Sequence, residues 1–207
     1  MRVLAIDPGT TKSGWCLLED GVPKDWAWED NREIASCLIN IGYPQADVLV
    51  IEDVGHYGLP VGKDVFETVK WIGKFEQGFE HFYWDEFLRS EDTGSESALP
   101  RAVLIPRPEV LVNLCGKRQG ANDSSVRQAL IDRFGGNEVA VGGKKCQTCK
   151  GKGWVGRGRP KCPDCGLNTG IFDGTGYETP PGVLHGISGH AWSALAVGVT
   201  YLDQGAT

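Results

Sequence analysis

Asp7 follows the apolar run Val3-Leu4-Ala5-Ile6 and is followed at once by Pro8-Gly9, so a carboxylate stands where a strand ends and the chain turns. By itself, Asp7 is equally suited to opening a turn by hydrogen-bonding its own backbone. Glu52 gives the position chemical meaning. It closes a second run, Val48-Leu49-Val50-Ile51, whose unbroken apolar character is that of a strand buried on both faces, and Gly55 interrupts the chain soon after. If the two strands are parallel neighbours about 4.8 Å apart, the carboxylates lie side by side and repel unless something positive separates them. Mg²⁺ or Mn²⁺ answers that need, because a hard divalent cation prefers carboxylate oxygen and keeps positions open for water and phosphate. Strand alternation sends Asp53 to the opposite face, which leaves Glu52 as the ligand.

The cysteines form a second, separable donor set. Cys146-Gln147-Thr148-Cys149 and Cys162-Pro163-Asp164-Cys165 are two CxxC pairs with twelve residues between them, the spacing of a tetrahedral structural zinc site built from two knuckles. The segment between is rich in Gly, Lys and Arg and cannot build an apolar core, so the metal would supply its stability. Trp154 lies within it and either packs on a knuckle or stacks on a base. Cys16, Cys37 and Cys115 are isolated and read as small core residues.

Charge points to a polyanionic partner despite a net charge of −6 over 207 residues. Residues 101–161 carry 13 Lys and Arg against 4 Asp and Glu, so the remainder of the chain is strongly acidic. That segregation is the electrostatic footprint of nucleic acid. The residues placed to contact phosphate or base are Lys117, Arg118, Lys144, Lys145, Lys150, Lys152, Trp154, Arg157, Arg159 and Lys161. A composition of 41% apolar and 23% charged residues is that of a soluble globular protein with one substantial core and a small appendage. No stretch reaches the roughly 20 apolar residues of a membrane helix, and Met1-Arg2 leads straight into a core strand rather than a signal sequence. The expected location is cytoplasmic, with no membrane partner.

The elements that must position these groups are legible in outline. Ser13 to Leu18 and Pro23 to Trp28 read as a hairpin joined through Glu19-Asp20-Gly21. Asn31 caps a helix whose stripe is Ile34, Ala35, Leu38 and Ile39, and Gly42 to Pro44 ends it before the Val48 strand. Residues 63–87 have helical character interrupted at Gly73 and Gly78; residues 90–97 are a loop; Ala102 to Ile105 is a short strand. Asp123-Ser124-Ser125 starts a helix ended by Gly135-Gly136, and Gly189 to Leu202 is a small-residue apolar helix that packs close to the sheet.

The order β-β-β-α-β and the paired acids resemble the RNase H-like superfamily, and within it the RuvC-like Holliday-junction resolvases, phage-encoded relatives included. The resemblance rests on Ala5-Ile6-Asp7-Pro8-Gly9, on Val50-Ile51-Glu52, and on His190-Ala191-Trp192-Ser193-Ala194-Leu195-Ala196. It implies an α/β fold with a mixed five-stranded sheet flanked by helices, a nuclease domain over 1–139 and 176–207, and a zinc-binding insertion over 140–175. It also implies that two metal-binding residues three apart begin the last helix, which places His190 and Ser193 beside Asp7 and Glu52, on one helix face. The family pattern has aspartate where this chain has Ser193, and a hydroxyl does not replace that charge. The implied activity is crossover-junction endodeoxyribonuclease: two Mg²⁺ or Mn²⁺ ions, paired phosphodiester cuts in a four-way DNA junction, and a homodimer to supply two sites. For a phage-encoded chain the location becomes the host cytoplasm.

His185 is placed to assist at the metal or to be an exposed loop histidine, and His56, four residues past Glu52, is a weaker supporting candidate. Two other readings compete. Ser193 motivates a catalytically weak junction-binding protein. Asp7-Pro8-Gly9-Thr10-Thr11 also resembles the phosphate loop of actin-like and sugar-kinase-like ATP-binding proteins, although their two lobes need a longer chain and a second such loop.

Overall fold

The computed structural model describes residues 1–40, 46–55, 61–89, 102–150, 152, 154–156, 162 and 181–205, the side chains of 84–89 excepted. The chain divides into two compact units, 1–127 with 187–207 and 128–186.

The first unit is built on a mixed five-stranded sheet of β1 (Arg2–Asp7), β2 (Lys12–Glu19), β3 (Val22–Asp30), β4 (Val48–Asp53) and β5 (Ala102–Pro106), in spatial order β3-β2-β1-β4-β5. β1, β2 and β3 form an antiparallel meander, while β4 and β5 run parallel to β1. Central β1 has Val3, Leu4, Ala5 and Ile6 fully buried, as its continuous apolar run requires of a strand covered on both faces. On one face Leu4, Ile6, Trp15, Leu17, Leu49 and Ile51 pack with residues of α1 (Asn31–Asn40) and α2 (Lys63–Arg89). Three further helices are α3 (Arg107–Cys115), α4 (Asp123–Arg133) and α5 (Ala191–Gly205). α5 packs on β1, β2 and β4, and so closely that a Cβ at Gly198 would lie 2.5 Å from Leu18 Cδ1 and 3.0 Å from Ala5 Cβ.

Two local expectations change. α2 runs unbroken through Gly73 and Gly78. Gly78 lies where α1 crosses, with its Cβ direction 3.2 Å from Ile39 Cγ1 and 3.4 Å from Leu38 Cβ, so the missing side chain permits close helix packing rather than a break. Asn31 begins α1 but does not cap it with its side chain: Arg32 N–H donates to Asp30 Oδ1 at 2.9 Å. Asn31 is instead fully buried and holds the turn after Asp7. Ser13 Oγ donates to Asn31 Oδ1 (2.6 Å), Asn31 Nδ2 donates to Gly9 O (2.9 Å), and Gly9 N–H donates to Ser13 Oγ (3.2 Å). Trp71 of α2 adds a bond from Nε1 to Thr10 O at 3.0 Å.

The second unit contains a π-helical turn over Asn137–Val141, an isolated bridge between Gly142 and Pro181, and a small cluster of buried Cys146, Cys149 and Cys162 with Val155 packed against it. Residues 90–97, His56, Arg157, Arg159, Lys161 and Cys165, all of which carried expectations, lie outside the described residues. Among the described residues no helix is long and apolar enough to cross a membrane.

Replacing Asn31 by Ala leaves the buried Ser13 hydroxyl and the Gly9 carbonyl without these partners, so Asn31→Ala is expected to lower stability by about 1–3 kcal/mol. Urea unfolding measures it, and a variant as stable as wild type would show that the turn does not depend on this network.

Candidate active site

Register brings the two acids together. Ile6 is paired with Ile51 across the parallel β1–β4 ladder, so Asp7 and Glu52, the next residues, end adjacent strands at one sheet edge. On the other side, Asp7 is the antiparallel partner of Gly14 in β2. A Cβ at Gly14 would sit 2.4 Å from the carbonyl carbon of His190, so the glycine is what lets the start of α5 come down onto β2 beside Asp7. His190 Nδ1 reaches Asp7 Oδ2 at 2.8 Å. The ring of His190 stacks with Trp28, 6.0 Å between centroids, and Lys12 Nζ lies 4.8 Å from the Trp28 centroid.

Glu52 has a different partner. β5 pairs parallel with β4, with Glu52 opposite Ile105 and Asp53 opposite Pro106. Arg107 follows immediately and begins α3. Its Nη1 donates to Glu52 Oε2 at 3.2 Å, and its Nη2 donates to Asp123 Oδ1 at the start of α4. Arg107, Asp123, Arg127, His190, Trp192 and Ser193 line a cleft of about 360 Å³, and the Arg127 guanidinium lies over the Trp192 ring at 4.9 Å. His190, directly before α5, and Ser193, in its first turn, line this one cleft. The carboxylate among these lining residues is Asp123, on another helix.

Both acids are withdrawn from water, their side chains only 15% (Asp7) and 14% (Glu52) exposed. Burial pushes Asp7 above the usual carboxylate range, against the downward pull of its His190 hydrogen bond and of Arg107. Burial, and then the charge of Asp7, pushes Glu52 up to about 7, with Arg107 opposing. Two desolvated carboxylates with an imidazole beside them are a donor set suited to a hard divalent cation. Among the described residues, the group of three or more such donors already close enough to hold a metal is a different one. The sulfurs of Cys146, Cys149 and Cys162 lie within 4.8 Å of one another, with Cys146 and Cys162 at 3.8 Å. Backbone turns form that pocket, Lys150 N–H donating to Cys146 O (2.8 Å) and Lys152 N–H to Cys149 O (3.1 Å), with Lys150 in the left-handed region at φ 52°.

The remaining sequence-predicted residues fall in several places. Lys144, Lys145, Lys150 and Lys152 are exposed on the second unit, where Lys152 Nζ lies 5.4 Å from the ring centroid of the half-buried Trp154. Lys117 and Arg118 are exposed on the first unit. His185 belongs to the second unit, half-buried, with its ring against Gly143, where a Cβ would lie 2.3 Å from His185 Cε1.

Sequence reasoning missed Arg107, Asp123 and the Trp28–His190 stack. The same signal that exposed Asp7 and Glu52, a polar residue directly after a short apolar strand, was present at Pro106-Arg107. Asp123 was legible only as a helix start, because nothing local tells a capping acid from one facing a cleft.

No family model and no curated protein matches the sequence. The fold is similar to two solved structures. A Thermus thermophilus RuvC structure aligns with TM-score 0.54 and 14% identity over 99% of this chain and 97% of its own. A T. thermophilus RuvC in complex with Holliday junction substrate aligns with TM-score 0.51 and 12% identity over 99% and 96%. The expected mixed five-stranded sheet flanked by helices is therefore that of a RuvC-like fold.

The raised Glu52 pKa sets a pH dependence. A carboxyl that titrates near 4.5 unfolded and near 7 folded stabilises the protein fully below about 4.5 and loses that contribution as pH rises through about 7. In chelator-treated protein, melting temperature is expected to fall over this window, and Glu52→Gln to flatten the fall. An identical pH profile in the variant would remove Glu52 as its source.

Proposed function

We propose that the protein is a metal-dependent, structure-selective endonuclease that resolves four-way DNA junctions by paired phosphodiester cleavage. The observation that carries this reading is the placement of Asp7 and Glu52 at the ends of adjacent parallel strands, with His190 on Asp7, in a fold similar to RuvC structures, one of them bound to a Holliday junction. Asp7, Glu52 and His190 would hold Mg²⁺ or Mn²⁺, two ions in this reading, with Ser193 assisting through its hydroxyl or a water. When bound, such ions lower the pKa of the attacking water and stabilise the leaving 3′ oxygen, giving 5′-phosphate and 3′-hydroxyl ends.

The chain's own residues do the rest. Gly14 and the Asn31–Ser13–Gly9 network keep Asp7 at the sheet edge within reach of His190. Arg127 over Trp192 gives the neighbouring cleft a cationic, aromatic wall suited to a nucleotide. Lys117, Arg118, Lys144, Lys145, Lys150 and Lys152 are exposed as phosphate contacts require, with Arg157, Arg159 and Lys161 assigned the same role and Trp154 that of a stacking residue. Two opposed nicks require two sites, hence a homodimer.

In the second unit Cys146, Cys149 and Cys162, joined by Cys165, would bind structural Zn²⁺.

Cleavage of a synthetic four-way junction in Mg²⁺ or Mn²⁺ tests the reading. Wild type is expected to cut, and Asp7→Asn and Glu52→Gln to lose at least 10²-fold in rate while still binding the junction, since removal of groups stabilising transition-state charge typically costs that much. Normal cutting by both variants removes these acids from the site. Binding without cutting under either metal favours the junction-binding protein that Ser193 suggests.

Metal analysis of purified protein is expected to give one zinc per chain, with Cys162→Ser losing it and the second unit becoming sensitive to protease. Zinc retained at wild-type content in Cys162→Ser would place the metal elsewhere.

A further inference from the structure

Arg107 is a cation in the cleft whose fork is already engaged. One arm donates to Glu52 Oε2 and the other to Asp123 Oδ1, and the two carboxylates differ sharply: Glu52 is 14% exposed and Asp123 87%. The position is fixed by the backbone. Arg107 stands between Pro106, which ends β5 beside Asp53, and Pro108 in the first turn of α3, so its origin next to Glu52 follows from the parallel β4–β5 register. Asp7 is treated differently, its partner being the imidazole of His190. Each member of the buried acid pair thus has its own positively charged or proton-bearing neighbour in the protein itself.

The proposed function requires Glu52 to hold a divalent cation, and this inference rests on that reading. Arg107 sits on one oxygen of Glu52, and a divalent cation held by the same carboxylate, even on the other oxygen, would lie only a few ångströms from the guanidinium and repel it. We propose that Arg107 is a resident counter-ion that occupies Glu52 in the metal-free protein and must leave it, remaining on Asp123, for a cation to be held there. Asp123 gives the released guanidinium a place to stay at the edge of the cleft, which gives a role to an exposed acid paired with a half-buried arginine. The planar fork is what allows one side chain to span two carboxylates; a lysine ammonium, a single point charge, would not hold both in this geometry.

The full chain is titrated with Mg²⁺ while arginine side-chain N–H signals are followed by NMR, the Arg107 signal being assigned by its loss in Arg107→Lys. Calorimetry then compares Mg²⁺ binding by wild type and Arg107→Gln. The Arg107 signal is expected to move with the same midpoint as Mg²⁺ binding, and Arg107→Gln to bind Mg²⁺ about tenfold more tightly, the worth of one hydrogen bond to a charged group no longer broken. An Arg107 signal that does not move at saturating Mg²⁺ makes the arginine a static bridge and overturns the proposal, as does equal or weaker Mg²⁺ affinity in the variant. If Arg107→Gln does not fold, the NMR arm on wild type still decides. Mg²⁺ uptake that is absent, or indifferent to Asp7→Asn and Glu52→Gln, overturns the functional reading itself; uptake that depends on these acids beside a static Arg107 overturns this inference alone.

Discussion

Two carboxylates buried side by side are the constraint from which the rest of the site follows. Asp7 and Glu52 sit where they do because Val3 to Ile6 and Val48 to Ile51 are buried in the sheet and locked in register with each other. Sliding either strand to separate the charges would pull part of its apolar run out of the covered sheet and carry polar end residues into it. The repulsion is therefore met locally, by His190 on Asp7 and Arg107 on Glu52, while burial raises the proton affinity of both acids and the charge of Asp7 adds to it at Glu52. The same pair of desolvated carboxylates is what the proposed cation site rests on.

Meeting that constraint determines details far from any charge. Gly14 is free of a side chain because the backbone of His190 occupies the space a Cβ would need. Gly198 lies against Ala5 and Leu18 for a related reason, and the two glycines together set how closely α5 lies on the sheet and hence where its first residues fall. Asn31 and Ser13 spend their buried hydrogen-bonding capacity on the turn that follows Asp7, so residues of β2 and α1 fix a side chain of β1. The second unit, beside its buried Leu130, Ile131, Ala140 and Leu184, has a separate buried cluster of three cysteines with Val155 packed against it.

The RuvC-like resemblance read from the sequence implies aspartate where this chain has Ser193. The cleft it lines also contains Asp123, delivered from α4 and held by Arg107. Asp123 is thus a carboxylate of this cleft carried on a different helix from Ser193. Asp123 arrives already paired with a cation, however, so its electrostatic effect is not that of a bare carboxylate at position 193.

The chain's sequence by itself determined the strands, the acids Asp7 and Glu52 that follow two of their apolar runs, the hairpin and the last helix, because burial on two faces demands an unbroken apolar run and a turn demands Gly, Pro or Asp. It also determined the cysteine spacing, since knuckle geometry is local, although Cys165 lies outside the described residues. Asn31 was legible as a polar residue at a helix start, but not as the brace of a turn 22 positions earlier, and α2 was legible as helical but not as continuous. Only the tertiary structure decided the partners: His190 for Asp7 across 183 residues, Arg107 for Glu52 across 55, and Asp123 for Arg107 across 16. Secondary structure is written in periodicities a few residues long, whereas the pairing of charges depends on strand order and on how near two backbones can approach, and those are set by the packing of the whole unit.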